Sequence, residues 1–362
     1  MRKRKALVAL PAILAALGTA GNAAAARQAS GVTVLAGPPP GTLPAHADGL
    51  AFFPRAVTIH AGDTVTWQFG GFHTVTFAGP HRPYPFLTTV GRQPAAKDAA
   101  GASFWWAAKL PQLVVSPLSL LPQGSEAISS PSQLHSSGLM RIITAPPKQP
   151  PAPFSLTFTR PGVYHYQCAV HPGMHGVVIV VPPSKGTPSA ASEAAAAKQD
   201  VGRAVSDTHR LLQTKPSKPL RVLVGAGDNA TGAEVTAFFP SRLNVHVGDT
   251  VTFVNHDQTD IHTVTFGPEK VRSSIENGLV QPKGHRVLLN PLGGLPSDPP
   301  AGPVQYDGHN HGNGYVNSGV LQPQSAPAAA GPKSFSVTFT KAGVYHYECV
   351  IHANMDGTVV VR

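Results

Sequence analysis

The feature that most constrains the fold of this chain is an internal repeat. The segment "AFFPRAVTIHAGDTVTWQFGGFHTVTF" at 51–77 returns as "AFFPSRLNVHVGDTVTFVNHDQTDIHTVTF" at 237–266, and "GVYHYQCAVHPGMHG" at 162–176 returns as "GVYHYECVIHANMDG" at 343–357. Similar segments in the same order indicate that one domain has been duplicated. We therefore predict the following organisation: leader 1–26, first domain 27–183, linker 184–218 and second domain 219–362.

Each copy has apolar residues with a period of two, separated by turn residues, and this pattern is typical of short strands in a β-sandwich. The 37 Pro and 36 Gly in 362 residues agree with many turns. The predicted fold class is thus all-β, with two sandwich domains. In the second copy we place strands at 220–225, 234–238, 242–246, 249–254, 262–266, 335–340, 343–349 and 357–361.

The linker and two long insertions interrupt this strand pattern. Apolar residues recur at helical spacing between Ala197 and Leu212, and Pro188 and Pro216 bound the segment, so we predict a helix over 190–213. A frayed, alanine-rich tether is the alternative. The insertions, at 78–134 and 267–314, are long for loops of a compact domain, and loops of this length are usually functional or disordered.

The first 26 residues resemble an export signal. MRKRK precedes an apolar stretch from Ala6 to Gly21, and a run of alanines ends before Arg27. A membrane anchor is the alternative, but Pro11 interrupts the stretch, which is shorter than the roughly 20 residues that span a bilayer. We predict cleavage and export to the periplasm, the cell surface or the medium, with no stable membrane span afterwards.

The charge of the chain says little about its partners. The formal net charge is +10, from 28 basic and 18 acidic residues. Four of the basic residues lie in the leader, so 24 basic and 18 acidic residues remain after it. This excess is small, and no long basic run with interleaved aromatic residues occurs. Nucleic acid is therefore not an expected partner.

The two cysteines of the chain occupy equivalent places in the repeat. Each is followed by His at the third position and Met at the sixth. A single disulfide is one possible use of two cysteines in an exported protein. However, equivalent positions in two copies of a domain lie in two separate cores, too far apart for the Cα separation of about 4.4–6.8 Å that a disulfide needs.

Strand parity brings a second histidine to each cysteine. In "VYHYQC", Tyr164, Tyr166 and Cys168 share one face, and in "HTVTF" His73 shares the face of Val75. Both side chains then point inward at the same end of a core, and the turn after the cysteine returns a histidine and a methionine over that end. A thiolate, two imidazoles and a weak axial thioether form a site that selects copper and suits one-electron transfer.

Both halves thus resemble the cupredoxins, the blue copper family of plastocyanin, amicyanin and azurin, and the short C-x2-H-x2-M loop is most similar to that of amicyanin. The resemblance covers about 50–77 with 135–181, and about 234–266 with 316–362. It implies a Greek-key β-sandwich, outer-sphere electron transfer and one type 1 copper per domain. The implied ligands are His73, Cys168, His171 and Met174, and His262, Cys349, His352 and Met355.

Two departures from the family bear on the site. Plastocyanin and amicyanin have Asn after the first histidine, where this chain has Thr74 and Thr263, so the hydrogen bond that steadies the cysteine loop is in question. The small members of the family also lack the insertions 78–134 and 267–314. His171 and His352 are expected to reach the surface as electron portals, unless these insertions cover the copper end.

The expected function is that of an exported electron carrier or relay with redox proteins as partners, and not that of an enzyme. Copper storage or delivery is one alternative. A relative of the copper oxidases or nitrite reductases is another, but those enzymes have His next to the cysteine, where this chain has Gln167 and Ala169, and Glu348 and Val350. They also use paired H-x-H motifs, and only His309 and His311 have that spacing here.

Overall fold

The computed structural model describes residues 30–79, 86–143, 149–171 and 173–362. The predicted leader, 1–26, lies outside these residues. Among the helices that the structure describes, none is both long enough and apolar enough to cross a membrane.

Short strands make up most of the regular structure. In chain order they are β1 Gly31–Ala36, β2 Ala47–Gly49, β3 Phe52–Phe53, β4 Ala56–His60, β5 Thr64–Phe69, β6 Thr76–Phe77, β7 Leu87–Val90, β8 Gln112–Val115, β9 Ala127–Ile128, β10 His135–Ser136, β11 Phe154–Phe158, β12 Gly162–Gln167, β13 His175–Val181, β14 Arg221–Asp228, β15 Ala233–Phe239, β16 Arg242–Val245, β17 Thr250–Asn255, β18 Thr265–Phe266, β19 Val280–Lys283, β20 Arg286–Leu289, β21 Val304–Tyr306, β22 Val316–Asn317, β23 Ser334–Phe339, β24 Gly343–Glu348 and β25 Asp356–Val361.

Helices are few among the described residues. The α-helices are α1 Pro117–Leu120, α2 Met140–Ile143, α3 Ala190–Leu211, α4 Glu269–Asn277 and α5 Pro291–Gly294, and 3₁₀ turns occur at Asn310–Gly312 and Ala328–Ala330. Helix α3 is the predicted linker helix. Its N-cap is Ser189, whose side chain accepts a hydrogen bond from the Ser192 N–H.

The strands form two β-sandwiches. The first sandwich faces the sheet β3-β1-β5-β11-β9 with the sheet β10-β6-β12-β13-β4, and the second faces β2-β15-β14-β17-β23-β21 with β16-β25-β24-β18-β22. The alternation seen in the sequence places Tyr164 and Tyr166 inside the first core and His165 outside. All eight strands predicted in the second copy are present, and the all-β prediction of two sandwiches joined by a partly helical linker is confirmed.

The two sandwiches are interlocked. Strand β2 precedes the ligand-bearing strands of the first copy, but it pairs with β15 of the second, with Asp48 opposite Glu234. Helix α3 buries Ala197, Val201 and Ala204 against Ala51 and Phe53, and its last residue, Leu211, packs against Leu223 and Val235. The linker therefore contacts both sandwiches along its length.

The two insertions also pack against each other. Strands β7 and β8 of the first insertion and β20 and β19 of the second form one sheet, in the order β19-β20-β8-β7, which we call the shared sheet. Nearby, Phe104 and Trp106 from the first insertion form a small core with Ile275 from the second and with Tyr315, which directly follows the second insertion. The two insertions therefore bury apolar residues against each other.

Candidate metal centres

Each sandwich carries a cluster of one cysteine and two histidines at one end of its core. In each cluster the ligand atoms all lie within 4.8 Å of one another, and the clusters consist of His73, Cys168 and His171, and of His262, Cys349 and His352. The cysteines are buried free thiols, so the disulfide alternative does not apply. The structure thus brings together the thiolate and imidazole residues that the sequence predicted.

The first cluster is fully enclosed by protein. The Nδ1 atoms of His73 and His171 are 3.1 Å apart, and the Sγ of Cys168 is 3.6 Å from the Nδ1 of His171. His73 has no solvent exposure, and Cys168 has 1%. Two imidazole nitrogens and one sulfur therefore converge in a buried space.

The second cluster repeats this geometry. The Nδ1 atoms of His262 and His352 are 3.1 Å apart, and the Sγ of Cys349 is 3.9 Å from the first and 3.6 Å from the second. A point equidistant from these three atoms lies about 2.1 Å from each, close to the distances of about 2.0–2.3 Å at which imidazole and thiolate bind a first-row metal ion. The donor set and its spacing therefore fit a single metal ion.

Met174 and Met355 close the loops that follow the cysteines. The Cys168 N–H donates to the Met174 carbonyl at 2.9 Å, and the Cys349 N–H donates to the Met355 carbonyl at 3.0 Å. Both methionines are buried, with 0% and 1% exposure, in the same core as their cysteine. Each methionine is thus buried in the same core as its cysteine, and its role as an axial ligand stays a prediction.

The threonines at the positions where the family has asparagine do fasten the cysteine loops. The Thr74 N–H points to the Cys168 Sγ at 3.3 Å, and the Thr74 hydroxyl oxygen accepts the Ala169 N–H at 2.7 Å. In the second site, Thr263 contacts the Cys349 Sγ in the same way at 3.4 Å and accepts the Val350 N–H at 2.9 Å. Threonine thus supplies the hydrogen bond that the sequence alone left in question.

A glycine lies against the first histidine of each site, and no motif in the sequence singles out either glycine. A Cβ on Gly37 would lie 2.7 Å from His73 Nε2, and a Cβ on Gly225 would lie still closer to His262 Nε2. Both glycines have positive φ, 79° and 66°. Only glycine combines this backbone conformation with so close an approach to the ring.

The charges within each cluster stabilise a thiolate. Burial opposes ionisation of Cys168, but the adjacent His171 and His73 outweigh it and hold the pKa of the thiol well below its usual value. Burial likewise disfavours the charged form of His171, yet the Cys168 thiolate raises the pKa of this imidazole to about 9. The second cluster shows the same directions, with a lowered pKa for Cys349 and a raised pKa for His352.

Buried carboxylates surround the outer edges of the second site. The Nε2–H of His352 donates to Asp260 at 3.0 Å, which leaves Nδ1 facing the cluster. Glu234, Asp257 and His262 have ligand atoms within 4.8 Å of one another. Burial opposes ionisation of Asp260, but His352 lowers its pKa, whereas burial, Asp260 and Asp257 raise the pKa of Glu234 well above its usual value.

One cavity connects the outer edges of the two sites. His171 and His352 both line it, together with Asp260 and residues of the shared sheet, and its volume is about 370 Å³. His171 is only 6% exposed. The expectation of open portals at these two histidines is therefore wrong for His171, because the insertions cover this end of the sandwiches.

The histidine pair in the second insertion does not converge. The ring of His311 lies between two carboxylates, with Nδ1 3.0 Å from Asp98 and Nε2 3.3 Å from Asp298. His309 is exposed and lies beside Asp307. The one pair with H-x-H spacing thus has no shared centre, and His311 instead links the two insertions.

Comparison with known proteins gives a limited result. No family model matches the sequence, and no curated protein matches it. Among solved structures, the Cu(I) form of a mutant amicyanin aligns at 23% identity over 34% of this chain and 70% of its own, with a TM-score of 0.18. Oxidised plastocyanin from Dryopteris crassirhizoma aligns at 18% identity over 39% of this chain and 99% of its own, with a TM-score of 0.21. These TM-scores are too low to carry an argument about function.

Proposed function

We propose that this chain is a type 1 copper protein with two mononuclear sites, which carries or relays single electrons between redox partner proteins after export. The observation that supports this most strongly is the buried Cys-His-His cluster, found twice with nearly the same distances. Copper bound there would supply reversible one-electron exchange between Cu(II) and Cu(I). The domain bounds given above remain part of this proposal.

The protein residues would hold the donor set rigid. The hydroxyl of Thr263 fixes the loop after Cys349, and the Thr263 N–H directs its dipole at the sulfur. Fixed donors reduce the rearrangement that accompanies a change of charge, and a rigid site is therefore suited to repeated electron exchange. Both cysteines are buried, and burial limits the access of oxidants to the thiolates.

This arrangement favours a carrier over the alternatives. Storage and delivery proteins must release their metal, whereas these cysteines are enclosed by protein. The residues that flank each cysteine are not histidines, so the chain lacks the direct link from a blue site to a catalytic copper. The common cavity beside His171 and His352 supports a relay in which the two sites exchange electrons within one chain.

The test is a spectroscopic titration. The purified chain is mixed with Cu(II), and the thiolate-to-copper charge-transfer absorption is followed through several cycles of a mild reductant and an oxidant. A carrier develops an intense blue colour that bleaches and returns, with copper retained throughout. Release of copper on reduction would instead indicate storage or delivery, and no intense absorption would contradict the type 1 assignment.

A further inference from the structure

The turn that follows Cys168 in the first site packs directly on the second sandwich. A Cβ on Gly173 would overlap Cγ2 of Thr259, and it would lie 3.5 Å from Oδ1 of Asn229. Gly173 directly precedes Met174, whose N–H donates to the His171 carbonyl at 3.1 Å. The glycine therefore brings the backbone of the first ligand turn into contact with the Thr259 methyl group.

Thr259 belongs to the segment that leads to the second site. The Thr259 N–H donates to Asp257 Oδ1 at 2.7 Å, and the Thr259 hydroxyl lies 3.2 Å from the same oxygen. This oxygen also accepts the Asp260 N–H at 2.9 Å. Thr259 and Asp260 are both buried, so these hydrogen bonds hold two successive residues in a fixed backbone conformation.

Asp260 continues this line of contacts into the second site. The Nε2–H of His352 donates to Asp260 at 3.0 Å, and the Nδ1 of His352 faces His262 at 3.1 Å. The two ligand sets are thus joined by a van der Waals contact at Gly173, the peptide bond from Thr259 to Asp260, and a hydrogen bond. We call this line of contacts the bridge.

We propose that the bridge is the route by which the two sites exchange electrons within one chain, an inference that rests on the proposed function. One electron leaves Cu(I) at one site and reduces Cu(II) at the other, while no covalent bond forms or breaks and no proton is transferred. Electronic coupling falls more steeply across empty space than along covalent and hydrogen bonds. The bridge has one contact gap, whereas the direct path from His171 to His352 crosses a cavity of about 370 Å³.

The exchange is measured in the full copper-loaded chain. A substoichiometric pulse of a flash-generated reductant supplies less than one electron per chain, and absorption follows the redistribution between the sites. Cys168→Ser and Cys349→Ser supply the reference spectrum of each site. We expect a first-order phase whose rate is independent of protein concentration, and we expect this phase to be absent from both single-site variants.

Two matched pairs of variants test the bridge itself. Thr259→Ser removes the methyl group that touches Gly173 and keeps the hydroxyl, whereas Thr259→Val keeps the methyl group. Asp260→Leu and Asp260→Asn both remove the charge, but only asparagine keeps an acceptor for His352. With the potentials of both sites measured, exchange should be severalfold slower in Thr259→Ser than in Thr259→Val, and in Asp260→Leu than in Asp260→Asn.

The contacts of the bridge are also measured without copper. In NMR spectra of the metal-free chain we expect a nuclear Overhauser effect between the Thr259 methyl group and the α protons of Gly173. The Nε2–H of His352 should exchange slowly with solvent in the wild type and in Asp260→Asn, and rapidly in Asp260→Leu. A missing Overhauser effect, or rapid exchange in the wild type, would overturn the bridge.

The outcomes separate this inference from the copper assignment. A blue chain without the first-order phase, or with equal rates within both pairs of variants, would overturn the bridge and leave the carrier function in place. Equal rates would show that electrons cross the cavity directly. A chain that stays colourless with Cu(II) would overturn both proposals.

Discussion

Replacing Gly225 by alanine should damage the second copper site from outside its ligand set. The substitution places a methyl group against His262 Nε2 and forces alanine to adopt a φ of 66°. The left-handed backbone costs about 1–2 kcal/mol, and overpacking of a buried site costs a further 1–3 kcal/mol or so. We therefore expect a loss of about 2–5 kcal/mol in the free energy of unfolding, together with displacement of the His262 ring.

Gly248→Ala is the matched control. Gly248 has a φ of 95°, but a Cβ there would meet nothing within 4 Å, so only the backbone term of about 1–2 kcal/mol applies. Chemical denaturation measures both losses, and the charge-transfer absorption in a Cys168→Ser background reports the second site alone. Equal destabilisation by the two variants, or an unchanged spectrum in Gly225→Ala, would refute the argument from close approach.

Three further predictions follow from the same structure. The second site should have the lower reduction potential, because Asp260 places negative charge beside His352. Redox titration of Cys168→Ser and Cys349→Ser compares the two sites, and equal or reversed potentials would contradict this prediction. Thr263→Val should cost about 1–3 kcal/mol, since it leaves the buried Val350 N–H without an acceptor, and it should change only the second site's spectrum. Asp298 and Asp98 raise the pKa of His311, so the protonated imidazole should add on the order of 1 kcal/mol to the free energy of unfolding. This contribution should be full below about pH 6.5 and disappear as the pH rises through the raised pKa. A stability difference between the wild type and His311→Gln that does not shrink over this rise would refute the prediction.

The sequence predicted the elements that depend on local pattern. Alternation of apolar residues located the strands, because strand parity fixes which side chains point inward. The two equivalent C-x2-H-x2-M motifs located the two clusters. The helix over 190–213 followed from its apolar spacing and from the bounding prolines. These features need no knowledge of distant parts of the chain.

The features that the sequence did not predict depend on contacts between the halves. Nothing in "AHADG" at 45–49 indicates that this segment pairs with a strand nearly 190 residues later. The shared sheet likewise joins two insertions that resemble ordinary loops in isolation. The burial of His171 follows from this cover, so the expectation of an open portal failed for a tertiary reason.

The lower potential predicted for the second site also depends on tertiary contacts. In the sequence, the acidic residues Glu348 and Asp356 of the second copy stand where the first copy has Gln167 and His175. In the structure, Arg272 pairs with Glu348 at 2.8 Å and offsets its charge. Instead, Asp260 bonds directly to His352, at 3.0 Å; it lies in the longer segment that precedes the second "HTVTF", and its role depends on the fold around it.

Copper stoichiometry tests the central claim most directly. The full chain and the Cys168→Ser, Cys349→Ser and doubly substituted variants are reconstituted with Cu(II), and bound copper is measured together with charge-transfer absorption. We predict two copper ions per chain with two thiolate-to-copper chromophores, one of each in either single variant, and no chromophore in the double variant. A single copper in the unmodified chain, or a blue colour that survives loss of both cysteines, would contradict the account.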